Sequence, residues 1–363
     1  MFKRFMMEVL IYFRNLFIWL IIAAIAFLIG MRIMIVKTAY TPETMENLET
    51  DGRSELVISP GQTLNILSWN IGSGISGKDA DSYEDGGTAT RAKSEEKVIQ
   101  NIDAVTAYLK EVNAQIMLLQ EVEFNSTRSW YYDEVAAISG AFEETNSAFA
   151  IDHKAHLVPR EDPWIGKIKG GSLTLSQVNS SLAYRVAEPC TAEKKDSYYT
   201  ARPCLLVTRY PIYGSEAELV VINIRLITYS DPTEVRAQMT RLHDLMAAEY
   251  EVGNYVICGG DFYQSMATEE VSFPTVADRW QPQPFASDIF DDEGWRKVTG
   301  GGGAASQRSM NLPYAEKNQD RIQLYLTDGF IATPNITINS CEIKDLGFEN
   351  SDHNPILINI TLQ

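Results

Sequence analysis

Tyr255-Val256-Ile257-Cys258-Gly259-Gly260-Asp261-Phe262-Tyr263 (YVICGGDFY) is an apolar run that two glycines break just before an aspartate. Four apolar residues bounded by glycine read as a buried strand, and strand ends are where α/β folds present polar side chains. The same pattern recurs along the chain. Leu64–Trp69 ends at Asn70, Gln115–Gln120 ends at Glu121, and Leu219–Ile224 leads to Arg225. Between these runs, Val98, Ile102, Val105, Leu109 and Val112 mark one helix face, and Val235, Met239, Leu242 and Met246 another. Further strands are expected at Leu324–Ile331, Ile336–Ile343 and Pro355–Leu362, a longer excursion over 152–203, and a mobile surface loop at Gly300–Gly303. Strands and helices mixed in this way predict an α/β sandwich of two packed sheets with helices outside, and argue against a purely parallel doubly wound sheet.

The rest of the chain bounds the setting. Its 363 residues, 45% hydrophobic and 22% charged, suffice for a real core and exclude a disordered or collagen-like chain. A formal charge of −17 opposes attraction to a polyanion, so a long nucleic acid is a poor partner. Leu16–Val36 is apolar except for Arg32, and is close to the roughly 20 residues a spanning helix needs. It predicts a single-pass membrane anchor over 16–36, with 1–15 in the cytoplasm, a tether over 37–62 and one domain over 63–363. Lys3, Arg4 and Arg14 before the span place that domain outside the cytoplasm, against the counterweight of Arg32 and Lys37. Of four cysteines, Cys258 and Cys341 read as small buried hydrophobes; Cys190 and Cys204 read either as a bridge or as two free thiols.

Asn70, Glu121, Asp261 and the tripeptide Ser351-Asp352-His353 stand where apolar runs end. If those ends converge, three carboxylates, an amide and an imidazole form a hard-oxygen site suited to Mg²⁺ or Mn²⁺, and such a site handles phosphate.

Five motifs then occur in order: SWNIG (Ser68–Gly72), LLQEVE (Leu118–Glu123), GGDF (Gly259–Phe262), DGFIATPN (Asp328–Asn335) and NSDHNP (Asn350–Pro355). Together they resemble the endonuclease/exonuclease/phosphatase superfamily, the deoxyribonuclease-I-like fold. The resemblance implies a four-layer α/β sandwich, two packed mixed β-sheets flanked by helices, and metal-dependent cleavage of a phosphoester. Carried over by position, it implies Glu121 as principal metal ligand with Asn70 and Asp352 beside it. It further implies that Asp261 handles the attacking water and that His353 acts on phosphate, oriented by Asp328. Asn223, Arg225 and Tyr263 are the expected substrate contacts, and Arg91, in a loop with Gly86-Gly87 expected to lie over the site, is a further phosphate contact.

Two positions depart from the family pattern. Asn223-Ile224-Arg225-Leu226 carries arginine where the family has histidine, and arginine cannot donate a proton near neutral pH. Tyr263 stands where an asparagine follows Gly-Asp-Phe. His153 and His156 are the nearest spare histidines, in a polar stretch that suggests solvated side chains. Gly72–Lys78 fits a phosphate-cradling G-x-x-x-x-G-K, but Asp79 replaces the Ser or Thr that a P-loop needs. The expected activity is therefore a membrane-anchored phosphoesterase using Mg²⁺ or Mn²⁺ on a small phosphate ester, nucleotide or phospholipid headgroup. The alternative is a surface binding domain on a degenerate scaffold.

Overall fold

The computed structural model describes residues 2–52, 54–159, 163–190, 198–227, 231–267, 271–290 and 294–363. Among these the helices are α1 (Phe2–Lys37), α2 (Glu95–Val112), α3 (Glu134–Gly140) and α4 (Pro232–Glu251). The strands are β1 (Met45–Asn47), β2 (Thr50–Asp51), β3 (Thr63–Asn70), β4 (Ile116–Glu123), β5 (Asn146–Val158), β6 (Gly166–Ser176), β7 (Leu182–Ala187), β8 (Cys204–Pro211) and β9 (Glu218–Arg225). They continue with β10 (Tyr255–Asp261), β11 (Gln264–Ser265), β12 (Gln283–Pro284), β13 (Arg296–Val298), β14 (Gln307–Arg308), β15 (Leu324–Tyr325), β16 (Asp328–Ala332), β17 (Ile336–Ile343) and β18 (Ile356–Leu362).

One seven-stranded sheet has the order β17-β18-β3-β4-β6-β5-β2 and the other β1-β7-β8-β9-β10-β16-β13. Both are mixed. β3 and β4 are parallel, as are β9 and β10, because each pair is joined through a crossover helix, α2 or α4. Period-two alternation sets the layers. Leu64 and Ile66 of β3, with Ile116 and Leu118 of β4, join Leu205, Val207, Ile222 and Ile224 in the core between the sheets. The intervening Leu67, Trp69, Met117 and Leu119 pack beneath α2 with Val98, Ile102, Val105 and Leu109. Met239, Leu242 and Met246 of α4 bury on the second sheet. A strand buried on both faces needs a continuous apolar run, which explains why these segments read so clearly.

Caps close the helices. Ser94 accepts from the Lys97 amide at the start of α2, where Asn113 ends the helix in a left-handed conformation, and Asp231 with Pro232 begins α4. Ile336–Ile343 is found as expected, while the run expected over Leu324–Ile331 divides into β15 and β16.

α1 is 36 residues long with no buried residue, and is long and apolar enough to cross a membrane. It extends beyond the expected 16–36 at its N-terminal end. The tether also differs from expectation, because β1 pairs with β7, β2 pairs with β5, and Ile58 is fully buried with a bridge to Ile212. Much of 37–62 is thus laid on the domain, adding an edge strand to each sheet. Gly300 is tied down likewise: a Cβ there would meet the Ile343 amide at 2.1 Å, so this end of the glycine run packs closely on β17. Cys190 and Cys204 are free thiols, as are Cys258 and Cys341.

Candidate active site

The parallel pairs deliver the C-terminal ends of β3, β4, β9 and β10 to one end of the sandwich. In the second sheet Asp261 has Arg225 of β9 as register partner on one side and Asp328 of β16 on the other. Gly260 makes this possible. Its φ is +150°, and a Cβ would lie 1.9 Å from the Ile224 carbonyl oxygen. In the first sheet the β4–β6 register slips between Leu119 and Val122. Glu121 sits in that bulge at φ +53°, which turns its carboxylate from the ladder toward the cleft. Ser73 and Tyr263, also beside the cleft, have φ +54° and +52°.

The result is a cleft of about 130 Å³ lined by Glu121, Arg128, Arg225, Asp261, Asp352 and His353. Asp81, Tyr83, Asp85, Arg91 and Ile165 line it from the loops. Gly72, at φ +55°, keeps its side empty: a Cβ there would lie 2.8 Å from Asp352 Oδ1 and collide with Ser76 Oγ.

His353 is buried, with Nδ1 2.9 Å from Asp328 Oδ2 and Nε2 3.9 Å from both Asp261 Oδ2 and Asp352 Oδ2. Burial alone would lower its pKa, but Asp328, Asp352 and Asp261 together outweigh burial and push it up to about 10. It is therefore an imidazolium at neutral pH, with Nδ1–H donated to Asp328. Asp261 responds oppositely. Burial and the neighbouring Asp328 charge push its carboxyl up to about 7, against the pull of His353, the Tyr263 amide and Arg225. Its Oδ1 accepts from the Tyr263 amide at 2.9 Å and its Oδ2 from Asn70 Nδ2 at 3.2 Å.

Arg225 fills the space opposite. Its Nε and Nη2 lie 3.0 and 2.7 Å from Glu121 Oε1, and its Nη1 3.5 Å from the buried Asp152 carboxylate. Burial works against the Glu121 charge, yet Arg225, Arg128 and His353 hold this carboxyl down at about 2. Asp152 is pushed up to about 6 by burial, which Arg225 only partly offsets.

A divalent ion at Glu121 needs free oxygens from Glu121, Asn70 and Asp352. Asn70 Oδ1 accepts from the Gly72 amide at 3.0 Å, so the group facing Glu121 and Asp261 is its NH₂, a donor. Glu121 Oε1 already accepts from Asn70 and from Arg225. A divalent ion about 4 Å from that guanidinium would be repelled by about 8 kcal/mol at an effective dielectric near 20. These residues, as arranged, do not fit the ion implied by the sequence resemblance. What the structure retains is a buried Asp261/Asp328/His353 group whose ligand atoms lie within 4.8 Å of one another. In it His353 Nδ1 is taken by Asp328.

Of the residues singled out in the sequence, Asn70, Glu121, Arg225, Asp261, Asp328, Asp352 and His353 come together. Arg91 lines the cleft. Tyr263 lines it too, but its ring leans on Trp280 at 4.7 Å, and Trp280 packs on Tyr325 at 5.4 Å, so the departure from asparagine builds an aromatic wall. Asn223 does not belong to the cleft. Fully buried, it donates to the Leu119 and Leu173 carbonyls and accepts from Gln120 Nε2, which bolts the two sheets together. His153 is half-buried, with Nε2 2.8 Å from the Tyr199 carbonyl, and does not replace the missing histidine. Gly72–Gly74 forms a short 3₁₀ turn, and Lys78 pairs with Glu349, so no phosphate cradle forms there.

Two residues escaped the sequence reading. Arg128 pairs with buried Glu123 at 2.7 Å and donates to Ser73 Oγ, which faces Glu121. Asp152 is the second partner of Arg225. The signal for it was indirect, since an arginine at a buried strand end needs more than one acid to hold it.

No family model matches the sequence, and no curated protein does either. Solved structures do match. An endonuclease/exonuclease/phosphatase from Beutenbergia cavernae is 15% identical with a TM-score of 0.56, covering 83% of this chain and 72% of that one. Another from Bacteroides vulgatus is 15% identical with a TM-score of 0.50, covering 83% and 100%. The human Nocturnin catalytic domain, solved with a bound sulfate anion, is 13% identical with a TM-score of 0.50, covering 87% and 97%. At such identities the likeness is one of architecture, and the chain has the two-sheet sandwich fold of the endonuclease/exonuclease/phosphatase proteins.

Proposed function

We propose that this protein is a membrane-anchored phosphoesterase acting on a small phosphate ester, with the domain outside the cytoplasm. The observation that carries the reading is the buried Asp328–His353 pair facing Asp261 in a cleft also lined by Arg91, Arg128 and Arg225. Arginines bind phosphoryl oxygens strongly, and fixed positive charge at the reacting phosphate stabilises charge developing in the transition state. Asp261, titrating near neutrality, accepts a proton from the attacking water. His353 Nε2–H holds a phosphoryl oxygen while Asp328 fixes the ring, and the leaving oxygen departs as the oxyanion. Mg²⁺ or Mn²⁺, when present, would add Lewis-acid chemistry, but no step here passes through a metal, because Glu121 is paired with Arg225. The anchor is α1, and Lys3, Arg4 and Arg14 before its apolar span favour a cytoplasmic N-terminus.

The same Glu121–Arg225 pair favours a second reading, a phosphate-binding domain that no longer turns substrate over. The experiment that separates the two uses the full chain in detergent micelles. Phosphomonoester, phosphodiester, DNA and sphingomyelin-type substrates are each incubated with Mg²⁺, Mn²⁺ or EDTA, beside Asp261→Asn. Hydrolysis lost in Asp261→Asn establishes the enzyme. Binding of phosphate without turnover of any substrate establishes the binding domain.

A further inference from the structure

The anchor joins the domain at the end where the cleft opens. Only Thr38–Thr44 separates α1 from β1, and seven residues span at most about 25 Å. That short segment does not hang free. The Tyr40 hydroxyl donates to the Ile151 carbonyl, Lys154 lies over the Tyr40 ring at 5.7 Å, and Arg185 Nη1 donates to the Glu43 carbonyl. Ile151 immediately precedes Asp152, the residue that holds Arg225 in the cleft wall. The Thr44 carbonyl then accepts from the Ala187 amide, and Ala187 pairs with Cys204, next to the register partners Leu205 and Ile224. Ile224 precedes Arg225. The tether therefore lies along the catalytic end of both sheets.

The loops at that end expose aromatic residues toward solvent: Tyr83 is 41% exposed, Trp130 40%, Tyr131 57% and Trp164 51%. Tyr83 lines the cleft, Trp130 is bonded to the carbonyl next to Arg91, and Trp164 precedes the cleft residue Ile165. Trp130 and Tyr131 are held at φ +56° and +62°, a conformation bulky residues adopt only where the surroundings impose it. Lys154, Lys167 and Lys169 add positive charge along β5 and β6. Exposed Trp and Tyr beside Lys is the composition that settles at a lipid headgroup layer. Leu56, Val57 and Tyr213 are exposed at the opposite end, where Ile58 bridges to Ile212, but the short tether reaches the catalytic end.

We propose that the cleft faces the membrane in which the chain is anchored and takes its phosphate ester from a lipid headgroup. This rests on the phosphoesterase reading for the chemistry, but not for the orientation. The full chain is reconstituted in nanodiscs containing headgroup-nitroxide lipid, with Cys190→Ser and Cys341→Ser, the two partly exposed thiols, and a fluorophore on either Trp164→Cys or Tyr213→Cys. The expected result is quenching at 164 and none at 213. Quenching at 213, or at neither position, overturns the orientation. Turnover is then compared between a phospholipid in the same disc and a soluble aryl phosphate. The expected consequence of Tyr131→Ser with Trp164→Ser is a KM for the lipid raised by about tenfold, equivalent to about 1.4 kcal/mol, with soluble turnover unchanged. Turnover of the soluble ester alone overturns the lipid as substrate. Quenching at 164 with no ester hydrolysed rejects the phosphoesterase reading and leaves the orientation standing.

Discussion

Replacing Arg225 with histidine should convert a site that excludes divalent metal into one that binds it. Two routes are open to an ion approaching Glu121. It can sit beside the guanidinium, against a repulsion of about 8 kcal/mol, or it can displace Arg225 from Glu121 and Asp152. The second route leaves a buried partner uncompensated, which costs about 3–5 kcal/mol. The cheaper route sets the magnitude. Mn²⁺ should therefore bind Arg225→His tighter than the natural protein by about two to three orders of magnitude, since about 1.4 kcal/mol is tenfold. Electron paramagnetic resonance of free Mn²⁺, titrated with the full chain in detergent, reads this without reference to activity, and Glu121→Gln in the Arg225→His background should abolish the gain. The reasoning is refuted if the natural protein already binds Mn²⁺ tightly in a manner lost in Glu121→Gln. That comparison does not require Arg225→His to fold. Equal affinities in a folded Arg225→His would refute it as well.

Three further outcomes follow from the same geometry. The pH profile of hydrolysis should fall on the acid side near 7, where Asp261 takes up a proton, and on the alkaline side near 10, where His353 loses one; a profile flat from 5 to 9 would remove Asp261 as the base. Because Arg225 supplies no proton, aryl phosphates with good leaving groups should be hydrolysed about 10²- to 10⁴-fold faster than alkyl phosphates beyond their intrinsic reactivity, measured as kcat/KM. Asn223→Ala should lower the urea midpoint by the equivalent of about 1–3 kcal/mol, through its lost bonds between the sheets, while leaving KM unchanged; a selective rise in KM would return Asn223 to the cleft.

Much of the site was legible because buried strands are contiguous apolar runs and their ends are marked by the first polar residue. Asn70, Glu121 and Asp261 were located in this way, Arg225 by its departure from the family motif, and α2 and α4 by their apolar periodicity. Asn223 was misplaced for a geometric reason. It alternates with Arg225 on the same face, but two residues, roughly 7 Å, deeper along β9, and that places it under the cleft floor. The tether was misread because β1 and β2 have three and two residues, too few to display a period. The bulge at Glu121 was not legible either, since it depends on register with β6. Nor was Asp152, whose pairing with Arg225 joins strands from different sheets.

The buried group at the centre of the site gives a reason to expect chemistry from it. A carboxyl raised as Asp261 is favours folding only while protonated, so its contribution is lost as pH rises through about 7. An imidazole raised as His353 is contributes stability in full below its unfolded pKa, and loses it as pH rises through about 10. Between those values the ionised Asp261 opposes folding and the protonated His353 favours it. The two contributions therefore pull against one another. Apolar residues of equal volume would serve a core as well or better. Stability also gives no reason for Glu121 and Tyr263 to stand at positive φ, or for Gly260 to admit β10 so close to Ile224. What these features do in common is hold charged groups at fixed separations around a small cleft. That makes Arg225 a change in how the site handles charge, because the arginine is itself built in by two carboxylates.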